Sequence, residues 1–321
     1  MSIISIFFTS LALAMDAFAV SLSIGIKEKG NRIKTAITVG AYFGIFQGIM
    51  PLIGWLLGVN FSDYIIKLEI SKEDFMKRFF GPEGNQLEHS FIALDEGNPI
   101  GLILGGVKDY EGIRTIRCGA LCVHPDYRGK EVSKNLFQLH RRAAVDNKCK
   151  QLFLEVIVGN DRAIKFYSKL GYEKVYDIKY YSIKDIDKLQ GEADEAIDIE
   201  EVTFDTILNL SEEIKDIHIN WQNDFDYMKK LEGLNYYGVY EENKLIGAMS
   251  ISKNGKVFFI WVNPQYRQKG IGRSLILKAT NDLNLNSVSI NFPNNASIEG
   301  FIKHMNFKKD SISQYEMYLT I

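Results

Sequence analysis

The sequence predicts an α/β fold: two mixed β-sheet domains with flanking helices, in tandem, behind an N-terminal apolar helical hairpin. Three observations carry that expectation. A strand, a basic glycine-containing turn and a helix follow one another between residues 257 and 279; the same order occurs earlier in the chain; and two long apolar runs open it. The 321 residues, 46% hydrophobic and 24% charged, suffice for two globular cores plus a hairpin. A net charge of −2 gives no electrostatic case for nucleic acid. Three cysteines, Cys118, Cys122 and Cys149, offer no disulfide framework and fit a reducing cytosol, with Cys118 and Cys122 read as packing on one strand face. The five histidines have no metal-ligand spacing.

Residues 1–66 come first. Their two apolar runs, 3–26 and 35–59, are each long enough to span a bilayer, and no Lys or Arg precedes the first, which argues against a signal peptide. The stretches 10–22 and 40–58 resemble the start of the manganese efflux pump family, over roughly the first two helices of such a pump. The resemblance makes Asp16 a metal-pathway residue if the segment transports; a carboxylate inside the membrane costs roughly 2.5–3.5 kcal/mol and calls for polar partners. Lys27, Lys29, Arg32 and Lys34 should hold the connecting loop in the cytoplasm, which sends both ends of the hairpin outward. The following domain starts late, with 67–80 leaving room for only part of an opening strand and helices. Two pieces meeting near residue 67 point to a gene fusion or a recombined reading frame. Against that topology, the two domains after the hairpin are expected in the cytoplasm, with the chain anchored to a membrane if 3–59 insert.

Residues 67–189 form the first domain, 190–197 an acidic linker, and 198–321 the second domain. The second holds a hairpin, 237–240 and 245–252, around Glu241-Glu242-Asn243-Lys244, then a strand at 257–262. Its turn supplies Arg267, Gln268, Lys269 and Gly270, and its helix runs on through Ile271, Gly272, Arg273, Leu275, Ile276 and Ala279. A strand at 288–292 leads into a last helix. In the first domain, 91–106 reads like 237–252, Val123-His124-Pro125-Asp126-Tyr127-Arg128-Gly129 parallels Val262-Asn263-Pro264-Gln265-Tyr266-Arg267-Gln268, and Leu170-Gly171-Tyr172 parallels Met305-Asn306-Phe307. Units this large are whole domains, not solenoid repeats.

Strand, glycine turn and helix together are phosphate-binding chemistry. The first N–H groups of a helix lack intrahelical partners and carry partial positive charge, and glycines let a diphosphate approach them. Arg267, Gly270 and Gly272 match the acetyl-coenzyme A signature of the GNAT N-acetyltransferase superfamily, which the whole arrangement resembles. The resemblance implies acetyl-CoA as cosubstrate, held by Val262, Arg267, Gln268, Lys269, Gly270, Ile271, Gly272, Arg273 and Asn294. It extends more weakly to Val123, Arg128, Gly129 and Asn160, because Glu131 and Ser133 replace the two glycines of the first domain. A carboxylate about 5 Å from a diphosphate charge costs roughly 3 kcal/mol at an effective dielectric near 20. The alternative is a retired site, since a glutamate also stabilises an empty helix N-terminus.

The same resemblance makes Tyr167, in Asn160-x-x-Ala163-x-x-x-Tyr167, the acid that protonates a departing thiolate; the other reading is a half-buried aromatic under the sheet. Asn294, Ser297 and Phe301 align with it in the second domain, and phenylalanine donates no proton. Neither sheet strand carries an acid for the amine's proton. Glu200, Glu201, Asp224 and Asp226 read as solvated surface charges, and Trp221 reads as a core or exposed tryptophan ahead of a pocket wall. The function expected is acetyl transfer to a small-molecule or peptide amine by direct attack, with the cofactor mainly in the C-terminal domain. The alternatives are a non-catalytic CoA-binding or structural tandem domain and a manganese efflux fragment in a membrane.

Overall fold

The computed structural model describes residues 71–189, 194, 196–214 and 217–321; the expected hairpin, Asp16 and most of the linker lie outside them. Residues 70–321 form one compact unit. The first half opens with helix α1, Lys72–Phe79, whose start is fixed by Ser71 Oγ accepting the Asp74 N–H at 3.0 Å. Glu73 and Asp74 in its first turn and Lys77 and Arg78 in its last match the helix dipole. A meander follows, β1 (Gln86–Asp95), β2 (Asn98–Tyr110) and β3 (Ile113–Val123), then α2 (Val132–Asp146), β4 (Gln151–Ile157), α3 (Asp161–Lys169) and β5 (Glu173–Ile183). The second half repeats this order. It runs through β6 (Ile199–Glu201), α4 (Phe204–Leu208), α5 (Phe225–Lys229), β7 (Leu234–Glu241), β8 (Lys244–Ser252), β9 (Lys256–Val262), α6 (Ile271–Asp282), β10 (Val288–Phe292), α7 (Ala296–His304) and β11 (Lys308–Thr320).

All eleven strands belong to one sheet, in the order β1-β2-β3-β4-β11-β5-β10-β9-β8-β7-β6. The two halves exchange their last strands to make it. β11 inserts antiparallel between β4 and β5, from Gln314 opposite Ile157 to Thr320 opposite Gln151, and so completes the sheet of the first half. β5 in turn pairs antiparallel with β10, from Val288 opposite Ile183 to Phe292 opposite Lys179. The cores are exchanged with the strands. Met317 of β11 is buried with Ile116, Leu136, Leu152 and Leu154 of the first half, while Tyr181 and Ile183 of β5 are buried with Ile246, Leu275, Ile276 and Ile290 of the second. Each half buries part of its apolar surface only against the other's strand.

Residues 203–214 and 217–231 cover the opposite face across both halves. Their Ile207, Leu210 and Met228 pack on Ala248, Phe259 and Trp261. Trp221, 2% exposed, joins Tyr110, Phe153 and Tyr227. A charged group is buried beside that cluster. Arg117 lies 2.7 Å from a carboxylate oxygen of both Glu83 and Glu155, and Trp221 Nε1 donates to the Glu83 carbonyl at 3.2 Å. Lys108 sits 3.7 Å above the Trp221 ring centroid and pairs with Asp224. Among the described residues no helix is long and apolar enough to cross a membrane.

Candidate functional site

The basic turn of the second half is set by local hydrogen bonds. Asn263 Oδ1 accepts the Gln265 N–H at 3.1 Å and so caps the 3-10 turn Pro264–Tyr266, while Arg267 Nε donates to the Val262 carbonyl at 3.1 Å. The chain enters α6 through Gly270, whose φ of +82° lies in the left-handed region that favours glycine. No side chain caps that helix, so its first N–H groups face outward unblocked. Gly272 admits a close neighbour: a Cβ there would stand 3.1 Å from the Phe301 ring of α7.

A cleft of about 840 Å³ opens on this helix start. Of the residues expected to hold a cofactor, it brings together Val262, Arg267, Gln268, Gly270, Ile271, Gly272 and Arg273, with Phe301 and His304 also in its lining. Arg273 Nε is buried there without a protein partner. Lys269 is not in the lining and places its ammonium 4.7 Å above the Tyr266 ring. Asn294 is also outside it; its Oδ1 accepts the Asp177 N–H at 3.0 Å. Two cationic side chains, uncapped helix amides and an orphaned guanidinium nitrogen fit a diphosphate.

The cleft continues into a gap in the sheet. β9 and β10 pair in parallel only at Ser289 opposite Lys256 and Ile290 opposite Val257, and then part. Because the Asn263 N–H bonds to the Ile246 carbonyl of β8 at 2.8 Å, alternation along the strand turns the N–H groups of Ile260 and Val262 away from β8, into the gap. Those donors can polarise a carbonyl placed between the strands.

Beyond the gap lies a second, small cavity of about 60 Å³, sharing Ile217, Ile260, Trp261, Asn295 and Ile298 with the cleft. His218, Asn220, Asn223 and Asn291 line it. His218 is stacked on Tyr176, with ring centroids 3.9 Å apart, and its ring nitrogens lie 2.7 Å from Glu111 and 2.5 Å from Glu316. Burial opposes its charge, but the two carboxylates outweigh burial and push its pKa up to about 9. The sequence reading missed all four residues. His218, Asn220 and Asn223 lie in a segment without periodicity or motif, and only the fold brings 218–223 against Asn291 of β10.

The first half shows what the same turn becomes when Glu131 and Ser133 replace the glycines at the helix start. Arg128 Nε reaches the Val123 carbonyl at 3.4 Å, as Arg267 does in its own turn, and Gly129 keeps a positive φ of +80°. Glu131 stands at the helix start with φ +63° and pairs with Lys134 at 3.0 Å. Where β3 and β4 part, after Cys118 opposite Leu154, the side chain of Asn85 lies so close to Gly119 that a Cβ there would be 2.1 Å from its Oδ1. Asn160 caps α3 by accepting the Ala163 N–H at 3.2 Å. Tyr167 is 8% exposed, its hydroxyl 3.8 Å from Cys118 Sγ, and burial pushes the phenol well above its ordinary pKa.

Three readings are corrected. The cap of α7 is Asn295, which accepts the Ile298 N–H at 3.0 Å, so the last helices align one residue further on than the sequence suggested. Ile302, fully buried, then takes the place of Tyr167, and Phe301 that of Phe166. Asp224 is not a solvated charge: it caps α5, accepting the Tyr227 N–H at 2.8 Å, and its partner Lys108 is equally covered. Glu200, Glu201 and Asp226 are exposed. Cys122 is exposed too, unlike buried Cys118 and Cys149, because the bulge between Leu104 and Gly105 breaks the alternation between them.

Residues 30–70 match the putative manganese efflux pump family. Curated relatives of this segment are a putative manganese efflux pump MntP of Rippkaea orientalis, 46% identical over 69 residues, and one of Clostridium perfringens SM101, 54% identical over 65. These alignments take in 22% and 20% of the chain, and 37% and 30% of the relatives. The chain therefore spans about a third of the length of the pumps it matches. Among solved structures, a tandem GNAT protein from the clavulanic acid biosynthesis pathway aligns with a TM-score of 0.54 at 14% identity, over 72% of this chain and 82% of that one. A GCN5-related N-acetyltransferase from Sphaerobacter thermophilus aligns with a TM-score of 0.55 at 12% identity, over 78% and 86%. Both share the fold. Residues 59–172 and 200–307 match the acetyltransferase (GNAT) family, and with most of its length inside those two matches the chain belongs to that family.

Proposed function

We infer that the second half transfers an acetyl group from acetyl-CoA to an amine, and that the first half serves it as a structural and acceptor-shaping partner. The observation that carries this reading is the uncapped, glycine-relaxed start of α6 opening on the large cleft, between Arg267 and Arg273. The amides of Ile271, Gly272 and Arg273 and the two guanidiniums hold the diphosphate. The Ile260 and Val262 N–H groups hold the thioester arm and polarise its acetyl oxygen. Acetyl-CoA supplies an activated thioester: the C–N bond to a neutral amine forms, the C–S bond breaks, coenzyme A leaves as thiolate, and the amine's proton passes to water. Expected acceptors are a small-molecule or a peptide amine.

A second reading, coenzyme A binding without turnover, has one observation in its favour: Ile302 stands where Tyr167 stands in the first half, and it donates no proton. That loss is small for this leaving group. A thiol with a pKa near 8.5 departs as thiolate around neutral pH at a cost of about 2 kcal/mol. Thiol release from acetyl-CoA, followed with a panel of amines, separates the two. Amine-dependent release supports transfer, and tight acetyl-CoA binding with no release for any amine supports the binding module.

A further inference from the structure

We propose that the small cavity walled by Asn220, Asn223 and Asn291 is the amine subsite of the transferase, that it takes an uncharged, weakly basic primary amine, and that the first half exists to hold its loop. The proposal rests on the transferase reading. Its starting point is a set of unmet hydrogen bonds. The three asparagines are 1%, 3% and 3% exposed, yet both side-chain atoms of Asn220, the Oδ1 of Asn223 and the Nδ2 of Asn291 have no protein partner. All three line the same cavity, next to the gap where the thioester is held. Buried amides left unpaired are costly, so a polar occupant is expected there.

The chemistry of the lining narrows that occupant. Asn223 is oriented by its own Nδ2, which donates to the Asn291 carbonyl at 2.8 Å, so its free atom is the acceptor oxygen. Asn220 Oδ1 supplies a second acceptor. Two acceptors match the two N–H donors of a neutral primary amine and leave its lone pair free for attack, whereas an ammonium brings a third donor, a full charge and no lone pair. No carboxylate lines the cavity to offset such a charge. Glu111 and Glu316 stand behind His218 and are engaged by its two ring nitrogens. The remaining walls, Phe258, Phe259, Trp261 and Phe292 among them, suit an aromatic or small apolar head.

The loop that carries the asparagines is tied to the first half residue by residue. Tyr110 donates to the Ile219 carbonyl at 2.8 Å, and Glu111 accepts the Ile219 N–H at 3.3 Å as well as binding His218. Glu83 holds Trp221 through its carbonyl and Gln222 through its carboxylate at 3.2 Å. A degenerate first half is thereby given a task in the chemistry of the second.

The test uses the full chain with aniline and benzylamine, similar in size but neutral and cationic respectively at neutral pH. Acetyl-CoA is titrated first by calorimetry; failure to bind overturns the transferase reading and this subsite with it. With coenzyme A present, aniline should bind more tightly than benzylamine. Asn220→Leu and Asn223→Leu should each weaken aniline by about tenfold, the worth of one lost hydrogen bond. Acetyl-CoA affinity should stay within about twofold. Asn220→Asp, nearly the same shape and at a side chain with no protein hydrogen bond to lose, should reverse the preference in favour of benzylamine by placing a carboxylate at the amine. Normal acetyl-CoA binding with an unchanged aniline-to-benzylamine ratio in Asn220→Asp, or with unchanged aniline affinity in both leucine variants, overturns the proposal. In that outcome the asparagines hold water only.

Discussion

Replacing Gly270 by Glu gives the second half the residue that the first half carries at Glu131, and it should cost the chain its acetyl-CoA affinity without costing its fold. The backbone can accept it, because Glu131 occupies the equivalent position with φ +63°, against +82° at Gly270. Space allows it as well: the nearest side-chain atom to a Cβ at Gly270 is Ile197 Cδ1, at 3.8 Å. The strain of a non-glycine residue there is about 1 kcal/mol. The electrostatic loss is larger. A carboxylate about 5 Å from a diphosphate charge, at an effective dielectric near 20, costs roughly 3 kcal/mol, more than a hundredfold in affinity. The new glutamate would also stand three residues before Arg273, as Glu131 stands before Lys134 in their 3.0 Å pair, and would draw that arginine from the ligand. Calorimetric titration of acetyl-CoA reads the loss, a thermal melt checks the fold, and Gly270→Ala isolates the backbone contribution from the charge. Binding of the folded Glu variant within about threefold of the unmodified chain would refute a diphosphate at the start of α6.

Three further outcomes follow from the same geometry. Restoring glycines to the first half, as Glu131→Gly with Ser133→Gly, should leave the calorimetric stoichiometry at one acetyl-CoA, because Asn85 still fills the parting of β3 and β4 beside Gly119. Urea unfolding across about pH 6 to 10 should show stability falling as His218 loses its proton. Its pKa is raised from 6.5 unfolded to about 9 folded, so the stabilisation is complete below about 6.5, amounts to ~3 kcal/mol, and is lost as pH rises through about 9. His218→Gln should remove that slope. Arg117→Ala should destabilise by about 3–5 kcal/mol in denaturant titration, since it leaves Glu83 and Glu155 buried and facing one another without their cation.

The cleft at the start of α6 was legible because its physics is local. A turn that needs a left-handed residue, a helix start that must stay uncapped and a strand ahead of it all lie within about twenty consecutive residues, so Arg267, Gly270 and Gly272 announce themselves. The β9, α6 and β10 elements stand close to where periodicity placed them. Position 301 was harder. Asn294 and Asn295 are equally good caps on paper, and only the hydrogen bond of Asn295 to the Ile298 N–H fixes the register that puts Ile302 opposite Tyr167. The small cavity was not legible at all, since His218, Asn220, Asn223 and Asn291 are brought together across about seventy residues by a tertiary contact. Nor did any pattern mark the exchange of β5 and β11, because a strand's alternation records which face it buries and not which neighbour it pairs with.

On the proposed function, that exchange explains how a first half without a cofactor turn of its own can still be kept. If the halves were independent, a first half with Glu131 at its helix start and Asn85 in its strand gap would contribute nothing to the second. They are not independent: β5 supplies the strand beside β10 and the buried Tyr181 and Ile183 of the second core, and β11 returns Met317 to the first. The first half also grips 218–223 through Glu83, Tyr110 and Glu111, none of which belongs to a cofactor motif. Selection on such a chain would act on the sheet edge and the loop anchors of the first half while leaving its phosphate turn free to drift. On that reading, the asymmetry between Gly270 and Glu131 follows from the division of labour.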